Sequence, residues 1–577
     1  VGESAHWGSD NPYDRHHPGI SYSRRGGFLD KVDRFDPLFF NISPREAEVM
    51  DPQHRLLLQE SWRAIEDWGH SPDSLRGSSC GVYVGFNGSD YYRLVDDGVE
   101  HPDSHAFVGN SEAILAARLS YCLDLRGPSV TVNTACSSSL VAVDTACRAL
   151  RDGSIDSALA GGVMIMTTPF FHHLASSAGM ISPSGLCRTF SDDADGFIPG
   201  EGVGVVVLRR LEDAVADGDH IYGVIVGSGT NQDGQTNGIM APSGPSQTQL
   251  ELSVYERHGI DASDITYVEA HGTGTRLGDP IEVDALTDAF RVHTKANGYC
   301  EIGSIKSNIG HTLAAAGVAA LIKTLMCLDH RMLVPTVNVT RENGLIDFEN
   351  SPFRVNQRLH AWETPNGRQR MAAISSFGFS GTNAHLVVRE APGTQEQRQC
   401  RRAAHPVPVS ARSQGDLRHK LVELAQWIDQ NPDADLRDLA FTLAVGRSHF
   451  SHRAGWVVSS VAELRSLVLA RAEDDHREVD SSAASTDVEA AMRDFLAGGV
   501  VDWEVLFRDE SPQRLSLPTY PFGGGQLLGP HERVHRGGNG GPLRAPAASS
   551  SAAAREHVHV RSLRLHDASD ARGGRGA

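Results

Sequence analysis

Residues 127–150 read GPSVTVNTACSSSLVAVDTACRAL, and the period of the sequence changes within them. Up to Asn133 the run is short, alternating and rich in β-branched residues, the pattern of a strand. From Ser137 onward Leu140, Val143, Ala146, Cys147 and Leu150 recur at helical spacing. Cys136 stands at the hand-over, where a strand meets the first turn of a helix. Free N–H groups and the positive end of the helix dipole favour a negative atom there. A thiol so placed is expected to fall in pKa from about 8.5 to about 4–7, making it a nucleophile at neutral pH. The plainer alternative is a buried structural cysteine, common for this residue type, so Cys136 needs partners elsewhere in the chain.

Three further segments offer them. Residues 267–282, YVEAHGTGTRLGDPIE, predict a strand, then His271 on a Gly/Thr-rich turn, then a helix from near Asp279. Glycines there let the backbone come close to a ligand, and Thr273 and Thr275 supply hydroxyls. Residues 303–317, GSIKSNIGHTLAAAG, repeat the scheme with Lys306 and His311 on the turn. Residues 375–385, SSFGFSGTNAH, form a glycine turn whose N–H groups suit an oxyanion. Cys136, His271 and His311 each follow a predicted strand, where α/β folds place their sites. Singly, each histidine reads as structural. Three such junctions together are an unusual coincidence.

The rest of the chain alternates in the same way. Strands are predicted at 81–86, 158–166, 203–208, 221–226, 265–269, 302–304 and 371–377, and helices at 44–68, 110–123, 246–258, 279–290 and 314–328. Buried apolar strands alternating with helices indicate a layered α/β fold. Composition shifts near Glu390. Residues 391–405 read as a linker, and a smaller α/β region follows, closing on LPTYPF at 517–522. From Gly523 the Gly/Ala/Ser/Arg-rich sequence without periodicity predicts a disordered tail over 523–577.

Composition narrows the function. The 577 residues, 40% hydrophobic and 22% charged, suffice for two or three globular domains at about 150 residues each. A net charge of −19 argues against a nucleic-acid surface. No apolar run approaches the about 20 residues that span a bilayer, and the polar start is no signal peptide, so no membrane attachment is expected. Eight scattered cysteines without a CxxC pair or zinc spacing predict a reduced, cytoplasmic chain with no metal. Other motifs fail. GSSCG at 77–81 matches a nucleophile elbow but precedes its strand. SDDADG at 191–196 opens like a calcium loop, yet Ser191 and Gly202 occupy its first and twelfth positions. The glycines at 227, 229 and 234, and at 272, 274 and 278, miss the dinucleotide spacing.

TACSSS, EAHGTGT and NIGH, in this order, resemble the active-site motifs of the β-ketoacyl synthases, the condensing enzymes. With DPQHRLLLQESW, ADGFIPGEGVGVVVL, GTNQDGQTNG and SSFGFSGTNAH, they make residues 22–392 similar to the ketosynthase domain of a modular type I polyketide synthase. The resemblance implies a thiolase-like fold, a duplication of two α/β halves over residues 1–392, and a flanking α/β domain over 393–522. No GHSxG motif occurs between 390 and 577, which is similar to trans-acyltransferase assembly lines, where a discrete acyltransferase acts in trans. It also implies roles. Cys136 accepts an acyl chain, as a thioester, from the phosphopantetheine arm of an upstream acyl carrier protein. His271 and His311 assist decarboxylation of malonyl on a downstream carrier protein, and the carbanion attacks the thioester. Lys306 organises the histidines, the N–H groups of Cys136 and Phe379 form the oxyanion hole, and Thr273 and Thr275 hold the pantetheine. The family needs no cofactor of its own and is usually a homodimer, with the strand before Cys136 near the two-fold axis.

The chain departs from the pattern in places. An apolar opening strand of the IAIIGMAGRFPG kind is absent, so an N-terminally truncated domain is expected. Leu313 stands where relatives often carry Glu or Gln, and GGGQ follows LPTYPF in place of an aromatic-basic run. The rival reading is a non-elongating ketosynthase that passes chains on as a gatekeeping or transacylating module, although His271, typically lost there, is present. A papain-like cysteine hydrolase also pairs Cys with His, but not with two histidines in these contexts. Acyl-chain preference follows pocket shape, where one methylene is worth about 1–3 kcal/mol.

Overall fold

The computed structural model describes residues 2–3, 21–98, 103–364, 367–393, 402–473 and 486–527. The expected α/β layering is present, in two halves. In the first, β1 (Gly81–Gly85), β2 (Ser129–Val132), β3 (Ser157–Met164) and β4 (Gly202–Arg209) form one sheet in the order β2-β1-β3-β4. β1 is parallel to β2 and β3, and β4 is antiparallel to β3. β3, SALAGGVM, is buried along its whole length, hence its unbroken apolar run.

The second half contains β5 (Gly223–Gln232), β6 (Tyr267–Glu269), β7 (Cys300–Gly303), β8 (Phe353–Val355), β9 (Met371–Phe377) and β10 (Thr382–Glu390). Their order is β8-β7-β6-β9-β10-β5. The first four are mutually parallel, and β10 is antiparallel to both β9 and β5.

The helices that complete the layers are α1 (Pro52–Asp67), α2 (Glu112–Leu123), α3 (Ser138–Arg151), α4 (Phe170–Ser177), α5 (Gly244–His258), α6 (Gly278–Arg291) and α7 (Ala316–His330). α3 and α7 lie between the sheets, each packing on strands of both. The alternation of β1 shows how. Val82 and Val84 join the cluster of Leu57 and Leu115 from α1 and α2, whereas Tyr83 between them joins Leu140 and Val143 of α3. The two central helices touch closely because α7 opens with small residues. A Cβ on Gly317 would sit 2.7 Å from Leu140 Cβ, and Val318 N–H donates to Ser139 Oγ at 3.0 Å. Leu313–His330 is, among the described residues, the one helical stretch long and apolar enough to cross a membrane, and 67% of it is buried in this core.

The predicted smaller region contains an antiparallel pair, β11 (His405–Ala411) and β12 (His452–Val458), with helices at Gln414–Gln430, Leu436–Val445, Val461–Glu473 and Asp487–Leu496. LPTYPF returns to α1. Phe39 packs 4.7 Å from Trp62 and 4.6 Å from Tyr520, ring centre to ring centre, and Glu66 accepts the Tyr520 N–H at 2.6 Å. One expectation needs correction here. The chain does not lose structure at Gly523, because Gly525–Gln526 pairs with Arg34–Phe35. That pairing uses backbone alone, and a Cβ on Gly524 would meet the Phe35 backbone at 2.8 Å, so hydrophobic periodicity carried no sign of it. The remainder of the expected tail, residues 528–577, and residues 394–401 of the linker lie outside the described residues.

Candidate active site

β2 delivers the chain to Cys136 through a tight corner. Ala135 has a φ of 57°, and a 3-10 turn, Ala135–Ser137, runs into α3. A left-handed non-glycine residue costs about 1–2 kcal/mol, and the serine run holds it there. Ser138 Oγ accepts the Thr134 N–H at 2.9 Å and donates to the Ala135 carbonyl at 2.6 Å. From β9, Ser376 Oγ donates to the Cys136 carbonyl at 2.9 Å.

The thiol itself corrects the sequence-based expectation. Cys136 is 7% exposed, and burial pushes it from an ordinary 9.0 up to about 11. The positive charge of Lys306 and the N–H groups of Phe379 and of Cys136 itself pull the other way without winning. The helix N-terminus was legible in the sequence. The desolvation was not.

His271 sits beyond β6 on a turn whose left-handed glycines, Gly272 (φ 45°) and Gly274 (φ 70°), few other residues can replace. Two carboxylates of α6 hold that turn. Glu282 accepts the N–H groups of His271 and Gly272 at 2.6 and 2.8 Å, and Asp279 accepts those of Gly274 and Phe190 at 3.1 and 2.8 Å. Burial raises Asp279 to about 6 and Glu282 to about 7, against the pull of those N–H groups.

His311 is fixed by a bridge to the segment before β4: its N–H donates to Ile198 O at 2.7 Å and its carbonyl accepts Gly200 N–H at 2.8 Å. The two imidazoles share one arrangement. Nδ1 of His271 accepts the Phe377 N–H at 3.2 Å, and Nδ1 of His311 accepts the Leu313 N–H at 3.3 Å. An accepting Nδ1 carries no proton, so each neutral ring has its N–H at Nε2. Burial first, and then the Lys306 charge, hold both histidines well below the usual range. The rings stand 5.6 Å apart at 87°.

Lys306 is 2% exposed. Burial lowers it, while Glu269 and Glu282 favour its charge. Glu269 is also buried, bonded to Lys323 and the Tyr267 hydroxyl, and it accepts the Ile305 N–H at 2.7 Å, which ties β6 to the Lys306 turn. Thr273 Oγ1 and Thr275 Oγ1 lie 3.3 Å apart, half-buried, on the His271 turn. Phe379, 49% exposed, lies between β9 and β10. The fold therefore gathers Cys136, His271, His311 and the Phe379 amide, with Lys306 charging the same space.

Sequence reasoning missed Asp279, Glu282, Glu269, Ser376 and Phe377. The acidic pair of GDPIE, just after a glycine turn at a helix start, was the available signal. What results is a buried thiol, two neutral N–H donors and two backbone N–H groups, a set suited to forming a thioester and stabilising an enolate oxygen.

Residues 2–214 match the family model for the β-ketoacyl synthase N-terminal domain, 222–340 the one for its C-terminal domain, and 405–467 that for the CurL-like PKS C-terminal region. The chain is 43% identical over 549 residues to polyketide synthase PksL of Bacillus subtilis, covering 90% of this chain and 12% of that protein. It is 44% identical over 443 residues to erythronolide synthase EryA2 of Saccharopolyspora erythraea, 76% of this chain and 12% of that protein. Among solved structures, the ketosynthase from module 6 of the Bacillus subtilis bacillaene synthase superposes with a TM-score of 0.80 at 41% identity, over 90% of this chain and 92% of that one. An oxazolomycin ketosynthase domain of Streptomyces albus gives 0.79 at 34% identity, over 90% of each chain. The fold and site define a thiolase-like condensing enzyme of the acyltransferase class. The chain belongs to the β-ketoacyl synthase family, as a ketosynthase of the polyketide synthase type.

Proposed function

We propose that this ketosynthase lengthens a polyketide by decarboxylative Claisen condensation. An upstream acyl carrier protein presents an acyl chain on its phosphopantetheine arm. The Cys136 sulfur bonds to the acyl carbon, the pantetheine sulfur departs, and the Cys136 proton ends on it. Malonyl on a downstream carrier protein, supplied by a discrete acyltransferase working in trans, then enters. The bond to its carboxyl carbon breaks, carbon dioxide leaves, and the electron pair becomes an enolate whose oxygen takes Nε2–H bonds from His271 and His311. The enolate carbon attacks the Cys136 thioester, whose oxyanion meets the N–H groups of Cys136 and Phe379. Collapse expels the thiolate and leaves a β-ketoacyl carrier protein. Lys306 sets the field in which both histidines stay neutral, and Thr273 and Thr275 position the pantetheine.

The observation that carries this reading is the pair of Nδ1-blocked, neutral histidines beside one buried thiol. A proton shuttle needs a nitrogen free to accept, whereas an oxyanion needs two fixed donors. We further propose a homodimer joined near β2, the end strand of its sheet, where Val130 is 38% exposed. Intact-protein mass spectrometry tests the mechanism: a short acyl thioester is loaded, then malonyl-carrier protein is added. Acylation at Cys136 followed by a β-ketoacyl carrier protein is expected. A thioester that persists beside intact malonyl-carrier protein would transfer the case to a gatekeeping, non-elongating module.

A further inference from the structure

Cys136 belongs to an apolar cluster with Met164, Met166 and Leu313, against which Phe28 and Phe171 pack. Phe171 also borders Phe197, whose ring centre stands 5.1 Å from that of His311, the two rings near-perpendicular at 79°. These six side chains come from four separate parts of the chain, and none carries a hydroxyl, amide or charge. The N–H groups of the backbone behind them are already engaged. Past the end of β3, four consecutive N–H groups are each taken by a side chain. Ile165 donates to Gln53 Oε1 at 3.2 Å and Met166 to Glu201 Oε1 at 2.9 Å. Thr167 and Thr168 donate to the two oxygens of Asp90 at 3.1 and 2.8 Å. The other oxygen of Glu201 accepts Leu29 N–H at 2.9 Å, beside Phe28. Glu201 is 3% exposed, so one buried carboxylate fixes both sides of the wall.

Leu313 completes it at a cost. Its φ is 46°, a left-handed value for a branched side chain, and its N–H is committed to His311 Nδ1. The side chain is 2% exposed and lies in the Cys136 cluster. The strained residue thus does two things: it orients the histidine and presents hydrocarbon to the nucleophile.

We propose that this wall is the seat of the acyl chain and that it selects chains whose carbons next to the thioester are plain hydrocarbon, rejecting those with a hydroxyl at the β-carbon. The inference rests on the condensing reading of Cys136. A β-hydroxyl pressed against thioether, phenyl and isobutyl groups loses its water and finds no N–H from residues 165–168. Such an orphaned hydroxyl disfavours binding. The methionines, with unbranched flexible side chains, yield to a linear or methyl-branched chain.

The test compares acylation of Cys136 by the N-acetylcysteamine thioesters of butanoic and 3-hydroxybutanoic acid, followed by intact-protein mass spectrometry on the full chain. In each, the Cys136 sulfur bonds to the acyl carbon and N-acetylcysteamine departs with the proton. Butanoyl is expected to react faster by about tenfold or more. In Met166→Gln and Leu313→Gln, which bring an amide to the wall, the ratio is expected to fall to within about threefold. The ratio is the readout, because general damage to the fold slows both donors alike, and Met166→Gln leaves the N–H bond to His311 in place. Equal rates in the parent chain overturn the proposal while leaving the condensing function intact. An unchanged ratio in both variants overturns the assignment of the wall. Failure of both donors to modify Cys136 overturns the function on which the proposal rests.

Discussion

Cys136 is a thiol at rest. Burial holds it near 11, and Lys306 is the charge that pulls it down. Below that value the reactive thiolate grows tenfold for each pH unit. Alkylation of Cys136 by iodoacetamide should therefore rise about tenfold per unit between pH 7 and 9, with no plateau near neutrality. Lys306→Met, which removes the favourable charge, should slow alkylation at a fixed pH by about tenfold. Peptide mapping of the labelled cysteine measures both. A plateau below pH 8 would mean that the helix N-terminus outweighs burial. The position of Cys136 was legible because a strand-to-helix change is written in local periodicity. Its protonation was not, because the groups that bury it lie near residues 164, 306, 313 and 379.

At the scale of elements, the edge of the first sheet invites a partner. β2 pairs with β1 on one side, and Ser129 and Val130 are exposed. If two copies join there, Val130→Lys should shift the molecule toward monomer in light scattering without a comparable loss of thermal midpoint. A charge on the edge opposes strand pairing, whereas a substitution in the fully buried β3 would cost stability instead. The strands were readable by two different signs: alternation in β2, and an unbroken apolar run in β3. The pairing Gly525–Gln526 with Arg34–Phe35 had neither, since a glycine strand held by backbone bonds leaves no hydrophobic pattern.

At the scale of the molecule, several histidines are buried neutral, and folding is linked to pH through them. His54 in α1 is 2% exposed, and burial, with Arg118 and Arg55 nearby, lowers it from 6.5 to about 3. The folded state resists that proton and the unfolded chain accepts it. Its contribution is therefore fully present above pH 6.5 and is lost as pH falls toward 3. Measured by urea unfolding, the stability of the wild type relative to His54→Gln should fall as pH drops from 6.5 to 5, by about 1.6 kcal/mol over the range, the slope approaching about 1.4 kcal/mol per pH unit at its lower end. A difference that stays constant over this range would mean that the imidazole is protonated in the folded protein.

The sequence by itself determined the α/β layering and the three strand-end junctions at which Cys136, His271 and His311 stand. Each is encoded in residues adjacent along the chain, by periodicity or by a glycine turn. Only the tertiary structure decided how those residues behave. The histidine tautomers depend on the Phe377 and Leu313 amides, the turn that carries His271 depends on Asp279 and Glu282, and the thiol depends on its burial. Protonation and hydrogen-bond polarity are set by dielectric surroundings and by donors from distant segments. They exist only once the two sheets have closed around α3 and α7.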